Sequence, residues 1–346
     1  MARLTGFSRL LITLAIVVGV FFAVRAFLPQ LSGMFGGANQ PATTEQTNNT
    51  QTDATGDASA PAGDAAAKSP VSGSSASGSA TPFRYQPTAP VNGKLKGVVE
   101  MGATGFNSFI ISVDNSKNWK LEKAEYGASL VYEKLATDTD IKNGLKNYIA
   151  DMLAYGVASK DIHFVISSGA KKVPVTSKIS GMLKGMGYNV NEVTPEQEAK
   201  YALKSAMPSA FDAKSFVVDI GSGNTKISWV TGSSVKGLDS YGAKYFQDNT
   251  PDATVYNDVK AKAGQVPSSL RSTCFIIGGV PFELAKQVRN GKERYTVLKM
   301  PNEYTAEGKK QECGLNIYKA VAEATGCKQF VFDWDANFTI GFLLSL

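Results

Sequence analysis

Two acidic residues in this chain each end a short apolar strand and precede a glycine-rich turn. Asp219 follows the apolar run Phe216–Val218 and precedes the turn Gly221-Ser-Gly-Asn-Thr225. Glu100 follows Val98-Val99 and precedes Gly102-Ala-Thr-Gly105. Glycine lets backbone N–H groups come close to a phosphate, and a neighbouring carboxylate can hold a metal ion or a water beside it. Taken alone, either segment could also be a purely structural tight turn.

The repetition of this pattern favours a binding site. The two acids are 119 positions apart, as expected of two halves that close a cleft on one phosphorylated ligand. A third segment, Cys274–Lys286, has the pattern of a strand, a Gly278-Gly279 turn and a helix. This arrangement resembles that of the sugar kinase, heat-shock-70 and actin superfamily, in which such a turn lies near the nucleotide or the distal phosphates.

Hydrophobic periodicity predicts alternating helices and strands around the two hairpins. In the first half it predicts a strand at 120–126, then helix, strand, helix, strand and helix at 138–155, 162–172, 177–186, 188–193 and 195–207. In the second half it predicts helices at 257–263, 281–288, 310–325 and 339–346, and strands at 273–277, 294–298 and 329–334. We therefore predict an α/β fold of two similar halves, each a mixed sheet flanked by helices.

The N-terminal region has a different composition from the rest. After a short segment at 1–9, residues 10–28 are almost wholly apolar, and an apolar stretch of roughly 20 residues can span a bilayer as a helix. A cleaved signal peptide is the alternative, but Arg25 and the bulky Phe27 argue against efficient cleavage. Arg3 and Arg9 precede the span, so we expect a single-pass membrane protein with its soluble part outside the cytoplasm, on the periplasmic side of a bacterial inner membrane.

Residues 29–90 are rich in Ala, Thr, Gln, Asn, Ser, Gly and Pro and hold few large apolar side chains. Such a segment cannot bury enough surface to offset the entropy of ordering, so we predict a disordered linker. The folded part then begins at residue 91 and extends to residue 346.

The net charge of +6 suits a phosphorylated ligand or an anionic surface. No basic stripe interleaved with aromatic residues is present, so a nucleic-acid partner is not expected. The cysteines lack metal-binding spacing; Cys313 and Cys327 flank one predicted helix and could pair or remain buried thiols. The single histidine, His163, is interpreted as a structural residue at the start of a strand.

The folded part resembles the exopolyphosphatase and guanosine pentaphosphate phosphohydrolase family through four blocks in the same order. The Glu100 hairpin stands at that family's Asp-x-Gly-Ser-Asn-Ser-Phe loop, and residues 165–172 stand at its Ala-Thr-Ser-Ala-x-Arg segment. Residues 193–203 stand at its Ser-Gly-x-Glu-Glu-Ala-Arg helix start, and residues 217–230 at its Val-Asp-Ile-Gly-Gly-Gly-Ser-Thr-Glu strand pair. Gly278 and the segment 340–344 are weaker matches. The resemblance implies two ribonuclease H-like (actin-like ATPase) subdomains, at 91–210 and 211–346, with a cleft between them.

The resemblance also implies roles for individual residues. Glu198 would activate the attacking water, although it could instead be part of a helix-capping pattern with Thr194. Asp219, together with Glu100, would bind Mg²⁺. The remaining positions would contact phosphate oxygens: Gly102, Ala103, Thr104, Gly105, Lys171, Gly221, Ser222, Gly223, Asn224, Thr225, Gly278 and Gly279.

Several of these positions depart from the family pattern. Glu100 replaces an aspartate, Ser222 a glycine and Lys171 an arginine, and lysine lacks the bidentate fork of arginine. Gln197 replaces a glutamate beside Glu198, and hydroxyl side chains are missing at Ala103 and Gly105. These departures leave two interpretations open, an active enzyme and a degenerate relative.

We therefore consider two functions. The first is a membrane-anchored phosphoanhydride hydrolase that releases terminal phosphate from polyphosphate or a related phosphate chain, with Mg²⁺ as cofactor. The second is a catalytically degenerate module that binds a phosphorylated ligand or acts as an envelope scaffold. In both cases polyphosphate or a phosphorylated small molecule would be the ligand, and a homodimer is kept open.

Overall fold

The computed structural model describes residues 83–102, 105–126, 138–172 and 174–346. The predicted membrane span at 10–28, most of the predicted linker, and Ala103 and Thr104 lie outside the described residues. Within the described residues, no helix combines the length and apolarity needed to cross a bilayer. Phe83 and Tyr85, which fall inside the predicted linker, pack on a hydrophobic cluster around Phe211 and Tyr295.

The first half of the fold is built on a five-stranded sheet with the strand order β3-β2-β1-β4-β5. Strands β1 to β3 form consecutive antiparallel hairpins, and β4 and β5 run parallel to β1. The elements of this half are β1 (Lys94–Gly102), β2 (Gly105–Val113), β3 (Trp119–Tyr126), α1 (Asp138–Tyr155), β4 (Ile162–Ile166), α2 (Pro174–Gly185), β5 (Asn189–Glu192) and α3 (Pro195–Ala206).

The second half repeats this topology in a six-stranded sheet with the order β10-β11-β9-β6-β7-β8. Strands β6, β7 and β8 correspond to β1, β2 and β3, while β9 and β11 correspond to β4 and β5. The elements are β6 (Ser215–Ile220), β7 (Asn224–Thr231), β8 (Ser234–Tyr241), α4 (Asp252–Ala263), β9 (Thr273–Ile277), α5 (Gly279–Lys286), β10 (Tyr295–Val297), α6 (Lys309–Thr325), β11 (Phe330–Asp333) and α7 (Phe338–Ser345). The predicted α/β architecture of two similar halves is confirmed.

The strand sequences explain how the layers stack, because alternate side chains point to opposite faces of a sheet. In β6, Val217 packs into a cluster shared by both sheets, whereas Phe216 and Val218 face the outer helices. In β4, Val165 faces the same shared cluster, and its neighbours Phe164 and Ile166 face outward. Helices α3 and α7 complete this central cluster. Each central strand is therefore buried on both faces, as its nearly continuous apolar sequence requires.

Strand β8 is the element that the sequence analysis did not predict. Along the strand, exposed polar or charged residues alternate with more buried residues, and Gly237 lies near the middle. A Cβ at Gly237 would lie 2.6 Å from the Cβ of Ala199 in α3. Glycine, normally depleted in strands, is thus required here by close packing against the helix, and this packing cannot be seen in the sequence.

Helices α3 and α7 pack closely at Gly341. A Cβ at Gly341 would lie 1.9 Å from the carbonyl oxygen of Tyr201. The two helices can approach this closely because position 341 carries no side chain.

Replacing Gly341 with alanine should therefore force the two helices apart. We expect Gly341→Ala to lower the free energy of unfolding by about 3 kcal/mol, the upper end of typical overpacking costs. Urea unfolding measures this change. Gly181→Ala is the matched control, because a Cβ there meets no atom within 4 Å; it should be neutral or stabilising by up to about 1 kcal/mol. Equal effects of the two substitutions would contradict the tight α3–α7 contact.

Candidate phosphate-binding site

A cavity of about 420 Å³ lies where the glycine turns of the two sheets meet. Strands β1 and β6 end at this edge, and the helix start that follows β9 closes it. The structure thus brings together ten residues that the sequence analysis singled out: Glu100, Gly102, Gly105, Asp219, Gly221, Ser222, Gly223, Asn224, Gly278 and Gly279.

The Gly278-Gly279 turn is placed against the end of β6 by its backbone conformation. Gly278 has a φ of +107° and precedes the first residue of α5. A Cβ at this position would lie 2.3 Å from the carbonyl oxygen of Ile220 and 2.9 Å from Oδ1 of Asp219. Only glycine fits here, so the start of α5 is held beside the Asp219 carboxylate.

The second glycine turn is supported from beneath by the segment after β8. The Gly221 N–H donates to the Asn224 carbonyl at 3.0 Å across the turn. The backbone N–H groups of Ala243 and Lys244 donate to the carbonyls of Gly221 and Ser222 at 2.9 and 3.0 Å. The contacts from Ala243 and Lys244 engage carbonyls of the turn, so they support the turn without occupying its N–H groups, whereas the Gly221 N–H is engaged by Asn224.

Two buried carboxylates face the cavity, and burial raises the pKa of both. Burial raises the pKa of Glu100 to about 7, against hydrogen bonds from the side-chain amides of Asn107 and Asn337 at 2.9 and 3.0 Å, which lower it. Burial raises the pKa of Asp219 to about 6, although the charge of Lys226 opposes this rise. The cavity therefore favours a bound cation or a proton beside these groups.

Glu198 is fully buried in the first turn of α3, and both of its carboxylate oxygens are occupied. Oε1 accepts from the backbone N–H of Ser168 at 2.6 Å, and Oε2 accepts from the Ser168 hydroxyl at 2.8 Å. Oε2 also forms an ion pair with the ammonium of Lys226, whose side chain is 5% exposed. Glu198 is absent from the residues that line the cavity. In this arrangement the carboxylate is not positioned to accept a proton from a water in the cavity.

The polar network continues from Lys226 to the cavity wall. The Lys226 ammonium donates to Oδ1 of Asn224 at 2.6 Å. The Asn224 amide donates to the Ser168 hydroxyl at 2.9 Å and to Oδ1 of Asp239 at 2.7 Å. Residues from both halves of the fold thus converge on one buried lysine.

The helix cap that was an alternative role for Glu198 is formed by its neighbour instead. The Gln197 N–H donates to the Thr194 hydroxyl at 3.2 Å, and the Thr194 N–H donates to Oε1 of Gln197 at 2.9 Å. The interpretation of Glu198 as a capping residue is therefore wrong. Gln197 performs this role as well as a glutamate would.

Two predicted phosphate contacts lie away from the cavity. Lys171 is exposed, 3.8 Å from Oε2 of Glu192, and does not line the cavity. Thr225 is fully buried in β7, and its hydroxyl has no hydrogen-bond partner among the described residues. The alternation of side chains along β7 directs Thr225 away from the turn that precedes it.

The structure adds Lys226 and Lys310 to the residues expected from sequence. Lys226 stands at the last position of the family's Val-Asp-Ile-Gly-Gly-Gly-Ser-Thr-Glu motif, so a lysine replaces an acid, and this charge reversal was visible in the sequence. Lys310 lines the cavity, and its ammonium would lie 3.4 Å from a Cβ at Gly279. Burial, and then the charge of Lys244, lower the pKa of Lys310. Only the structure shows that Lys310, and not its neighbour Lys309, faces the cavity.

Part of the cavity wall is aromatic. The Phe282 ring lies 5.7 Å from the Tyr126 ring and 5.4 Å from the Trp334 ring, measured between centroids. All three side chains line the cavity. The cavity thus combines polar groups suited to phosphate with aromatic side chains.

Glu100 and Asp219 are the candidate metal ligands in the cavity. Among the described residues, no group of three or more His, Cys, Asp or Glu side chains is arranged to hold a metal ion. The oxygen donors Glu100 and Asp219 nevertheless have the chemistry that Mg²⁺ prefers, and Mg²⁺ is commonly bound by one or two carboxylates plus phosphate oxygens. His163 packs against the Phe342 ring at 5.7 Å, outside the cavity. The three cysteines are buried free thiols.

Comparison with solved structures identifies the fold. The chain is similar to a Ppx/GppA family member from Aquifex aeolicus, with a TM-score of 0.57 and 16% identity over 73% of this chain and 97% of that one. It is also similar to an exopolyphosphatase from Cytophaga hutchinsonii, with a TM-score of 0.57 and 13% identity over 73% of this chain and 97% of that one. No family model and no curated protein matches the chain. At these identities the similarity establishes that the chain has the Ppx/GppA fold, and the resemblance inferred from sequence is confirmed at that level.

Breaking the Lys226–Glu198 pair should cause a large loss of stability, and a second substitution that removes the other charge should offset this loss. Lys226→Met should lower the free energy of unfolding by about 3 kcal/mol, because it leaves a buried carboxylate without its counter-charge. The double variant Lys226→Met/Glu198→Gln removes both charges and should recover most of that loss. Denaturant unfolding of the single and double variants measures both effects. If the loss in the double variant equals the sum of the losses in Lys226→Met and Glu198→Gln alone, the two residues are not coupled.

Proposed function

We propose that this chain has a phosphohydrolase-like site that binds the phosphate end of a phosphoanhydride, such as polyphosphate, and that binding without turnover is its main activity. The observation that carries the proposal is the convergence of both acid-bearing glycine turns and the Gly278-Gly279 helix start on one cavity. Backbone N–H groups at such turns and at a helix start attract anions. Lys310 places its amine nitrogen beside the helix start at Gly279.

The carboxylates in the cavity determine what must accompany the phosphate. Glu100 and Asp219, when ionised, would repel a polyanion. A Mg²⁺ ion held between these carboxylates and the phosphate oxygens would remove that repulsion. When bound, this ion would neutralise charge on the phosphate chain, while Lys310 and the glycine turns would orient the chain.

The contacts of the Glu198 carboxylate are the reason to favour binding over hydrolysis. A general base must be within hydrogen-bond reach of the water that it activates. Glu198 instead accepts two hydrogen bonds from Ser168 and pairs with Lys226.

Hydrolysis of the terminal phosphoanhydride is the second candidate. The shared fold with Ppx/GppA structures favours it, as does the position of Glu198, two hydrogen bonds from the cavity-lining Asn224 through Ser168. Turnover would require Glu198 to exchange the Lys226 contact for a water.

Calorimetry with polyphosphate and Mg²⁺ on the full chain, together with a phosphate-release assay, separates the two candidates. We expect saturable binding and no phosphate release. Lys310→Gln should weaken binding about tenfold, because it removes one charge-assisted contact. Lys309→Gln is the matched control, since Lys309 is exposed and pairs with Glu312; it should bind like the wild type.

Phosphate release by the wild type that is lost in Glu198→Gln would establish hydrolysis instead. If polyphosphate does not bind, or if both lysine variants weaken binding equally, the cavity is not the phosphate site.

The proposal includes a membrane anchor, which the composition of residues 10–28 supports. These residues would tether the cavity to a bilayer through the Ser- and Gly-rich segment that follows, with the folded part outside the cytoplasm. A reporter that is active only outside the cytoplasm, fused after Leu346, should therefore be active. Activity only of a cytoplasmic reporter would contradict this orientation.

A further inference from the structure

A second and larger cavity, of about 810 Å³, lies at the opposite edge of the two sheets. The turn between β2 and β3 and the turn between β7 and β8 form part of its wall. In both hairpins these turns are at the far end of the strands from the glycine turns. Strands of eight or nine residues separate the two edges by roughly 25–30 Å. The second cavity is therefore distinct from the candidate phosphate-binding site.

Three lysines line this cavity and have no ion-pair partner among the described residues. Lys117 lies in the β2–β3 turn, and Lys200 and Lys204 lie one turn apart on α3. Burial, and then the charge of Lys117, lower the pKa of Lys204. Lys117 is thus close enough to α3 for its charge to be felt there.

Two nearby acids, Asp114 and Asp333, are already engaged elsewhere. The Asp114 carboxylate accepts hydrogen bonds from the backbone and side-chain amides of Asn118 and from the backbone N–H of Val91, at 2.9 to 3.1 Å. Asp333 accepts two hydrogen bonds from Arg294, each 2.9 Å long, which also neutralises the one arginine in the cavity wall. Asp212 is the acid that lines the cavity, so the three lysines leave it with an excess of positive charge.

The backbone at Lys117 supports a role for its side chain. Lys117 has a φ of +64°, a left-handed conformation that disfavours lysine and suits glycine or asparagine. The Asp114–Asn118 contacts hold the turn in this shape. A lysine at this position is not explained by the local backbone.

The neutral residues of the wall add a hydroxyl donor to the three lysines. The Ser116 hydroxyl can donate to anionic oxygens, whereas the hydroxyls of Ser205 and Ser234 already donate to the carbonyls of Ala202 and Thr231. Lysines act as point charges that suit phosphate without a fixed geometry, and three of them on two separate elements match several charges along one ligand.

We propose that this second cavity binds a multivalent phosphorylated ligand, such as a short phosphate chain, through Lys117, Lys200 and Lys204. The proposal does not depend on the activity of the first site.

The tryptophans of the chain report on the two cavities separately. Trp119 lines the second cavity and Trp334 lines the first, while Trp229 is buried in the core at 4% exposure. The full chain labelled with 5-fluorotryptophan should give one ¹⁹F resonance for each, assigned with Trp119→Phe and Trp334→Phe. Titration with tripolyphosphate is expected to shift the Trp119 resonance in a saturable manner, whether or not Trp334 responds.

The variant Lys117→Asn/Lys204→Gln tests the lysines. Asparagine tolerates the left-handed turn, so the fold should be kept, and the unshifted Trp229 resonance checks this. We expect the affinity reported by Trp119 to fall about tenfold or more, with the Trp334 response unchanged. Lys142→Gln/Lys146→Gln, on exposed positions of α1 that line neither cavity, makes the same change in net charge and should have no effect.

Three results would overturn the proposal. The first is a Trp119 resonance that tripolyphosphate does not shift, even if Trp334 responds. The second is an equal loss of affinity in the α1 control, which would indicate non-specific attraction. The third is a tighter response of Trp119 to a tetra-aspartate peptide or to phosphatidylglycerol vesicles, which would identify an acidic protein segment or a membrane surface as the partner.

Discussion

The ion pair between Lys226 and Glu198 is the interaction on which the rest of the candidate site depends. Taking two charges out of water costs several kcal/mol for each ion, and the cost is offset only when hydrogen bonds satisfy both groups. Ser168 and Asn224 provide these hydrogen bonds. Glu198 and Ser168 belong to the first half of the fold, and Lys226 lies in β7 of the second half. The ion pair therefore fixes the two halves relative to each other at the cavity.

This constraint also determines the electrostatics of the cavity. Lys226 is directed to Glu198 and Asn224, so it opposes the rise in the pKa of Asp219 without cancelling it. Glu100 has two amide donors and no cation among its hydrogen-bond partners. The glycine turns and Lys310 offer positive potential, and the two buried carboxylates favour a cation or a proton beside them. A phosphate chain with a divalent cation meets both requirements, while the reactive geometry of Glu198 is absent.

Most of the fold was accessible from sequence because its central strands are buried on both faces. Apolar runs such as Phe216–Val218 and the period of helix α1 over 138–155 leave few alternatives for secondary structure. Strand β8 was not predicted, because its half-exposed residues carry no such signal. Its Gly237 is explained only by the close contact with Ala199 of helix α3. The acids and glycine turns of the cavity were likewise visible, because turn chemistry is local.

The sequence by itself determined the two repeated hairpins, the acids at their ends and the lysine in place of a motif glutamate. Only the tertiary structure decided which side chains share a space. It directed Thr225 into the core, left Lys171 on the surface beside Glu192, and placed Lys226 against Glu198. The physical reason is that spacing along the chain fixes backbone conformation, whereas the burial and pairing of a charge depend on residues that are distant in sequence and meet only when the sheets pack.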